Sequence, residues 1–221
     1  MEKLFISNSI KRVSVVKMKK QQYTNLINEL SDREIMFHLL ATQVILIVLS
    51  IIFGFFLFDD VSSFLRIFQW GDVDIWRIGG LAGIGVVLLD VVLMKLLPPS
   101  FYDDGGLNQK LFQNKTITQI AIIAAMVAIS EEILFRGVIQ THFGLVISSL
   151  IFALIHYRYL FNLFLFINIT ALSFFVGYLY HLTGNLFVTI FMHFIIDFLL
   201  GLIICWSGKN SSRVWEGSND E

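Results

Sequence analysis

Six continuous apolar runs leave this chain few ways to fold. They fall at about 36–58, 78–97, 117–140, 145–158, 161–181 and 186–206, and most approach the ~17–25 residues that a membrane-crossing helix requires. Inside lipid every backbone N–H and C=O must find a partner within the protein, so only helices and closed β-barrels span a bilayer. Barrel strands would read as ~10-residue segments of alternating polarity, and these runs do not alternate. The expected fold is therefore all-α, a polytopic helical membrane bundle with about six transmembrane spans. Composition agrees: 15% of residues are charged and the mean hydropathy is +0.75, against roughly 25% charged residues in soluble domains. A net charge of −1 gives no footing for nucleic acid. The single cysteine, Cys205, excludes an internal disulfide and reads as a small apolar residue of the last span.

The chain divides into four parts. Residues 1–35 form a basic leader with seven Lys or Arg against four acids, partly disordered and then helical from about Gln21. Residues 36–115 hold two spans and their loops, residues 116–206 hold four spans, and 207–221 form a polar tail. The first apolar run starts near Met36 and lacks a small-residue cleavage site, so it reads as a retained span and not as a signal peptide. Basic residues flanking it predict a cytoplasmic N-terminus, and Lys95, Lys110, Lys115, Arg158, Lys209 and Arg213 fall on the same side, which makes the C-terminus cytoplasmic too. The acidic first loop (Asp59, Asp60, Asp72, Asp74) then lies outside, and Phe64 to Trp70 lies along the interface. Gly79, Gly80, Gly83 and Gly85 suit close helix contact. His38 and Gln43 sit near the start of the first span, where hydration is cheap. Asp90 is deeper, and either makes a structural hydrogen bond or lines a polar cavity.

Between Thr116 and Trp206 the charged residues are Glu131, Glu132, Arg136, Arg158 and Asp197. An ionisable side chain at membrane depth costs at least ~2.5–3.5 kcal/mol, so it persists where it has a partner or a task. Glu131 and Glu132 point ~100° apart on a helix. Glu132 and Arg136, at i and i+4, can pair on one face, which leaves Glu131 for chemistry. His193 and Asp197 likewise share a face, and His156 follows Phe152 by one turn. A turn near His142–Gly144 puts Glu131 and His156 each ~18 Å from that membrane face; a turn at Thr183–Gly184 puts His193 at ~14 Å and Asp197 at ~20 Å. Three helices thus deliver polar groups to one level.

Two chemistries suit such a cluster. Glu131 can act as general base on water that His156 orients, with His193 and Asp197 stabilising an oxyanion; this needs no cofactor. Alternatively Glu131, His156 and His193 can hold a catalytic zinc, although the two-histidine zinc-protease motif on one helix is absent. A proton or ion relay is a third use, and a fourth is charge pairing that only fixes helix packing.

The run Glu131-Glu132-Ile-Leu-Phe-Arg136 resembles the EExxxR motif of the CPBP family, the CAAX-protease and bacteriocin-processing (Abi) intramembrane proteases. Phe152-Ala-Leu-Ile-His156 resembles its FxxxH motif. Gly177 with Thr183-Gly184-Asn185-Leu186 and His193-Phe-Ile-Ile-Asp197 is similar to its third block. The resemblance covers about residues 116–205. It implies a membrane-embedded endopeptidase with Glu131 as base, His156 as its helper, His193 and Asp197 at the oxyanion, and Glu132, Arg136 and Phe152 in support. It further implies a peptide or membrane-protein substrate, residence in a bacterial inner membrane, and a role such as bacteriocin processing or self-immunity. Inactive members of the family imply a rival, a membrane adaptor that keeps the fold. This chain departs from the best-known members in carrying Asp197 where they carry Asn. An ionised Asp only accepts hydrogen bonds, so it serves an oxyanion either protonated or by orienting His193.

Overall fold

Capping boxes start two of the long helices. The Ser31 side chain accepts from the Glu34 backbone N–H while Ser31 N–H donates to the Glu34 carboxylate (2.8 Å). Thr116 and Gln119 repeat the arrangement (2.9 and 3.2 Å), so each helix start satisfies its own donors. The computed structural model describes residues 21–216, apart from the side chains of 161 and 209–216. Most of the basic leader (1–20) and the end of the tail (217–221) lie outside the described residues. The elements are α1 over residues 21–29, α2 Asp32–Leu57, α3 Val61–Leu65, a π-helical turn Ile75–Gly80 leading into α4 Leu81–Leu96, and α5 Leu107–Phe112. Then come α6 Ile117–Glu132, a second π-helix Ile133–Gln140, α7 Thr141–Ile155, α8 Leu163–Thr183 and α9 Leu186–Glu216.

Among the described residues five helices are long and apolar enough to cross a membrane: Asp32–Leu57, Ile75–Leu96, Ile117–Ile155, Leu163–Thr183 and Leu186–Gly208. The third folds in half. Gly144 has φ 82°, and beyond it the Phe152 ring returns to 5.0 Å from Phe135, whereas a straight helix would separate the two by ~25 Å. The expected turn at His142–Gly144 is thus present, and only a residue without Cβ adopts that backbone easily. The returning limb, expected over 145–158, ends at Ile155. Its length of ~16 Å is about half of a hydrocarbon core, so it carries His156 to an interior end and not across. The second expected turn is present as well: Gly184 (φ 60°) closes α8, its N–H donating to Tyr180 O at 2.8 Å.

α9 runs through the middle of the bundle, packing on α4, α5, α6 and α8. Close approach is built into α4 and its π lead-in. A Cβ on Gly79 would lie 2.5 Å from the Val188 carbonyl oxygen, and one on Gly83 2.9 Å from that of Met192. Gly85 faces open space, so the expectation of close contact holds for part of the glycine set. Large apolar side chains such as Phe55 and Phe56 lie outside while Gln43, Ser130, Glu132, Arg136, Ser148, Ser149 and Ser173 are buried, the inside-out distribution of a lipid-facing bundle. Asp90 accepts a hydrogen bond from Asn168 Nδ2 at 3.3 Å, tying α4 to α8. On the α1 side, Lys110 Nζ donates to the carbonyls of Ile27, Asn28 and Leu30 (2.7, 2.9 and 2.8 Å) and so caps the end of α1.

Candidate active site

The π-helix directly after Glu132 sets the local geometry. It buries Leu134 through Gln140, and such insertions recur at functional sites. Arg136, on its first turn, is wholly enclosed. Its Nε lies 3.5 Å from Glu132 Oε2, and its other nitrogens donate to Ser148 Oγ (3.4 Å) and Ser173 Oγ (3.1 Å). The Phe152 ring sits 5.2 Å from the guanidinium carbon. Glu132 Oε2 and Arg136 Nε face each other as charges without hydrogen-bond alignment, since neither has a hydrogen-bond partner. The i, i+4 pair read from the sequence is therefore present as an ion pair, anchored by serines from α7 and α8.

Glu132 does more than that pairing. Its Oε1 accepts from His193 Nδ1 at 3.0 Å. His193 Nε2 in turn lies 3.5 Å from Asp197 Oδ2 and 4.0 Å from Glu131 Oε2. The ~100° divergence between adjacent carboxylates lets them address opposite nitrogens of one imidazole. That divergence keeps the two from facing one cavity squarely, and the long reach of Glu and the bridging ring let both approach His193 all the same. Exposure of the side chains rises from 1% at Glu132 to 13% at His193 and 29% at Asp197, so the cluster opens toward Asp197. Among the described residues no protein group donates a hydrogen bond to Glu131, which leaves its carboxylate the uncommitted one.

His156 ends α7. Its Nδ1–H donates to the Phe152 carbonyl at 2.8 Å, which leaves Nε2 as the acceptor of the neutral ring. Phe152 joins the two motifs, its ring lying 4.5 Å from His156 and 5.0 Å from Phe135. The structure thus brings Glu131, Glu132, Arg136, His193 and Asp197 into one cluster and attaches His156 to it through Phe152. Among the described residues no three or more His, Cys, Asp or Glu side chains are arranged to hold a metal ion.

Other residues take supporting roles that the sequence did not assign to them. Gln43, expected near the hydrated interface, is buried and accepts from Ser130 Oγ, bracing α6 one residue before Glu131. Gln140 Nε2 donates to Gly177 O at 2.6 Å, and a Cβ on Gly177 would collide with that amide. Asn185, fully buried, donates to Gln69 O (3.0 Å) and Asp72 Oδ2 (3.1 Å) and accepts from Gln69 N–H and Phe187 N–H (3.2 and 3.0 Å). It locks the loop after α3 onto the start of α9. The Asp74 N–H and the Asn185 amide hold the Asp72 carboxyl below the usual carboxylate range. A buried amide inside a turn motif was the available signal for Asn185; nothing local marks Gln43.

Comparison with known proteins accords with this geometry. Residues 113–214 match the family described as type II CAAX prenyl endopeptidase Rce1-like. A protein of Bacillus subtilis (strain 168), uncharacterized protein YpbD, is 45% identical over 156 residues, which cover 71% of this chain and 82% of the relative. No solved structure matches the chain.

Proposed function

Since the chain belongs to the Rce1-like, type II CAAX prenyl endopeptidase family, a family of intramembrane proteases, we propose that it is a glutamic-type endopeptidase whose base is Glu131. The observation that carries this reading is the division of labour between neighbouring carboxylates. Glu132 is committed to Arg136 and His193, while Glu131 accepts no hydrogen bond from the described residues and stops 4.0 Å short of His193 Nε2. That gap exceeds a hydrogen bond, so neither atom is consumed by the other.

In the reaction, Glu131 takes one proton from a water whose second hydrogen is held by His156 Nε2, and the water oxygen adds to the scissile carbonyl carbon. The oxyanion is met by His193 Nε2–H. Glu132 and Asp197 hold that imidazole from opposite sides, which keeps its donor aimed while charge develops. Collapse of the tetrahedral intermediate breaks the C–N bond, and Glu131 returns its proton to the leaving amine. Asp197 in place of Asn suits the orienting role, because its oxygen lies 3.5 Å from the ring nitrogen it would direct. No metal enters any step.

The substrate on this reading is a short or membrane-associated peptide, with bacteriocin-like or pheromone-like peptides as candidates. The protein sits in a bacterial cytoplasmic membrane with both termini inside. The test is peptide hydrolysis by purified protein in detergent. Glu131→Gln and His156→Ala should each lower kcat by about 10²–10⁴-fold, the usual contribution of general acid–base catalysis, and a chelator should leave wild-type turnover unchanged. Wild-type-like hydrolysis by Glu131→Gln would remove the assignment.

A further inference from the structure

Two residues beyond His156 stands a cation that the mechanism does not use. Arg158 lies in the 3₁₀ turn Tyr157–Phe161. Its Nη2 donates to the Tyr159 hydroxyl at 2.7 Å, and its guanidinium carbon lies 4.6 Å from the Tyr159 ring centre. The Tyr159 ring is parallel to the His156 ring, 1° apart in plane and 6.1 Å between centres. The guanidinium is thus rooted on the aromatic that flanks His156. It is close enough to Glu131 and to His156 to act electrostatically on each.

Among the described residues no carboxylate pairs with Arg158, and its Nε is buried without an acceptor. Asp104 lies within electrostatic range but makes no ion pair with it: Oδ1 accepts from Gly106 N–H (2.9 Å) and Oδ2 from Asn108 N–H (3.0 Å), where they shape the start of α5. The other buried guanidinium, Arg136, is committed to Glu132. Nη1 of Arg158 makes no hydrogen bond within the described residues and is not enclosed, so one edge of the cation remains open. An unneutralised, partly desolvated guanidinium is costly to keep, and its planar donors match a carboxylate. The rest of the site is rich in negative charge, with Glu131, Glu132 and Asp197 around His193. A peptide carboxylate would be repelled there unless a cation received it.

We propose that Arg158 is a substrate-binding residue, its open guanidinium edge receiving a carboxylate of the peptide substrate, either the C-terminal one or that of an acidic side chain near the cleaved bond. This rests on the endopeptidase reading above and adds a specificity to it. Peptides identical in sequence and ending in a free carboxylate, in an amide, or in an amide with one Glu added beside the cleavage site separate the two sources. The wild type should hydrolyse a carboxylate peptide with about 10–150-fold higher kcat/KM than the plain amide, the range of a charge-assisted hydrogen bond, chiefly through KM. Arg158→Gln should abolish that preference, bringing the acid/amide ratio of kcat/KM to about one whatever its effect on the amide peptide itself, and Arg158→Lys should keep part of it. Equal losses on acid and amide peptides would overturn the proposal.

Binding of the same fluorescently labelled peptides to Glu131→Gln protein in uncharged-lipid nanodiscs gives a readout independent of turnover. Acid should bind more tightly than amide when Arg158 is present and equally when it is Gln. Equal binding of acid and amide in both overturns the proposal. An intact acid preference in binding, with no wild-type hydrolysis of any peptide, would instead sink the endopeptidase reading alone.

Discussion

Replacing Arg136 by Met tests what holds the centre of the bundle together. Met has similar length and reach but no charge, so the change removes the guanidinium with little loss of packing. Glu132 Oε2 then loses its cation at 3.5 Å, Ser148 and Ser173 lose a donor at 3.4 and 3.1 Å, and the Phe152 ring loses its cation at 5.2 Å. Breaking a buried pair from one side costs about 3–5 kcal/mol, because the surviving charge stays uncompensated. For a chain of this size each kcal/mol moves the melting temperature by about 2–4 °C, which gives an expected fall of about 6–20 °C. The single cysteine supplies the assay. Cys205 is buried at 3% exposure, so a fluorogenic thiol reagent reports its uncovering during heating in detergent. The double variant Glu132→Gln/Arg136→Met removes both charges and should be more stable than Arg136→Met by about 0.5–3 kcal/mol, the usual coupling between contacting residues. If Arg136→Met melts within about 2 °C of the wild type, or if the double variant is no more stable than the single, then His193 alone compensates Glu132 and the reasoning fails.

Two further outcomes are expected. Gly79→Ala puts a methyl 2.5 Å from the Val188 carbonyl oxygen, and should cost about 1–3 kcal/mol as overpacking in the same thiol assay. Gly85→Ala, with nothing within 4 Å, is its control, and equal effects at the two positions would contradict close packing of α4 on α9. Asp197→Asn should keep kcat within about tenfold of wild type, because an amide oxygen can still face the His193 ring from 3.5 Å and the amide NH2 can itself donate to the oxyanion. A fall to the level of Glu131→Gln in the peptide assay would mean that the negative charge is required.

Much of the frame was legible in the chain. The apolar runs, the turns at Gly144 and Gly184 and the i, i+4 pairs all depend on local spacing, and local spacing survives folding in lipid because each helix must satisfy its own backbone. The same spacing put Glu131 and His193 at comparable depth. Less legible was the length of the limb after Gly144: the apolar run continues to residue 158, but a 3₁₀ turn at Tyr157–Phe161 ends the helix early. Gln43 also misled, since nearness to the end of a span says nothing about which face its amide occupies.

By itself, the sequence determined a helical membrane protein and the residue types available for chemistry, because burial of ionisable groups in an apolar run is too costly to be idle. Tertiary structure alone decided that both adjacent glutamates converge on one imidazole, that Glu132 is shared between Arg136 and His193, and that no carboxylate of the described residues pairs with Arg158. Each depends on distances between helices far apart in the chain, and those distances are set by where glycines and serines let the helices meet.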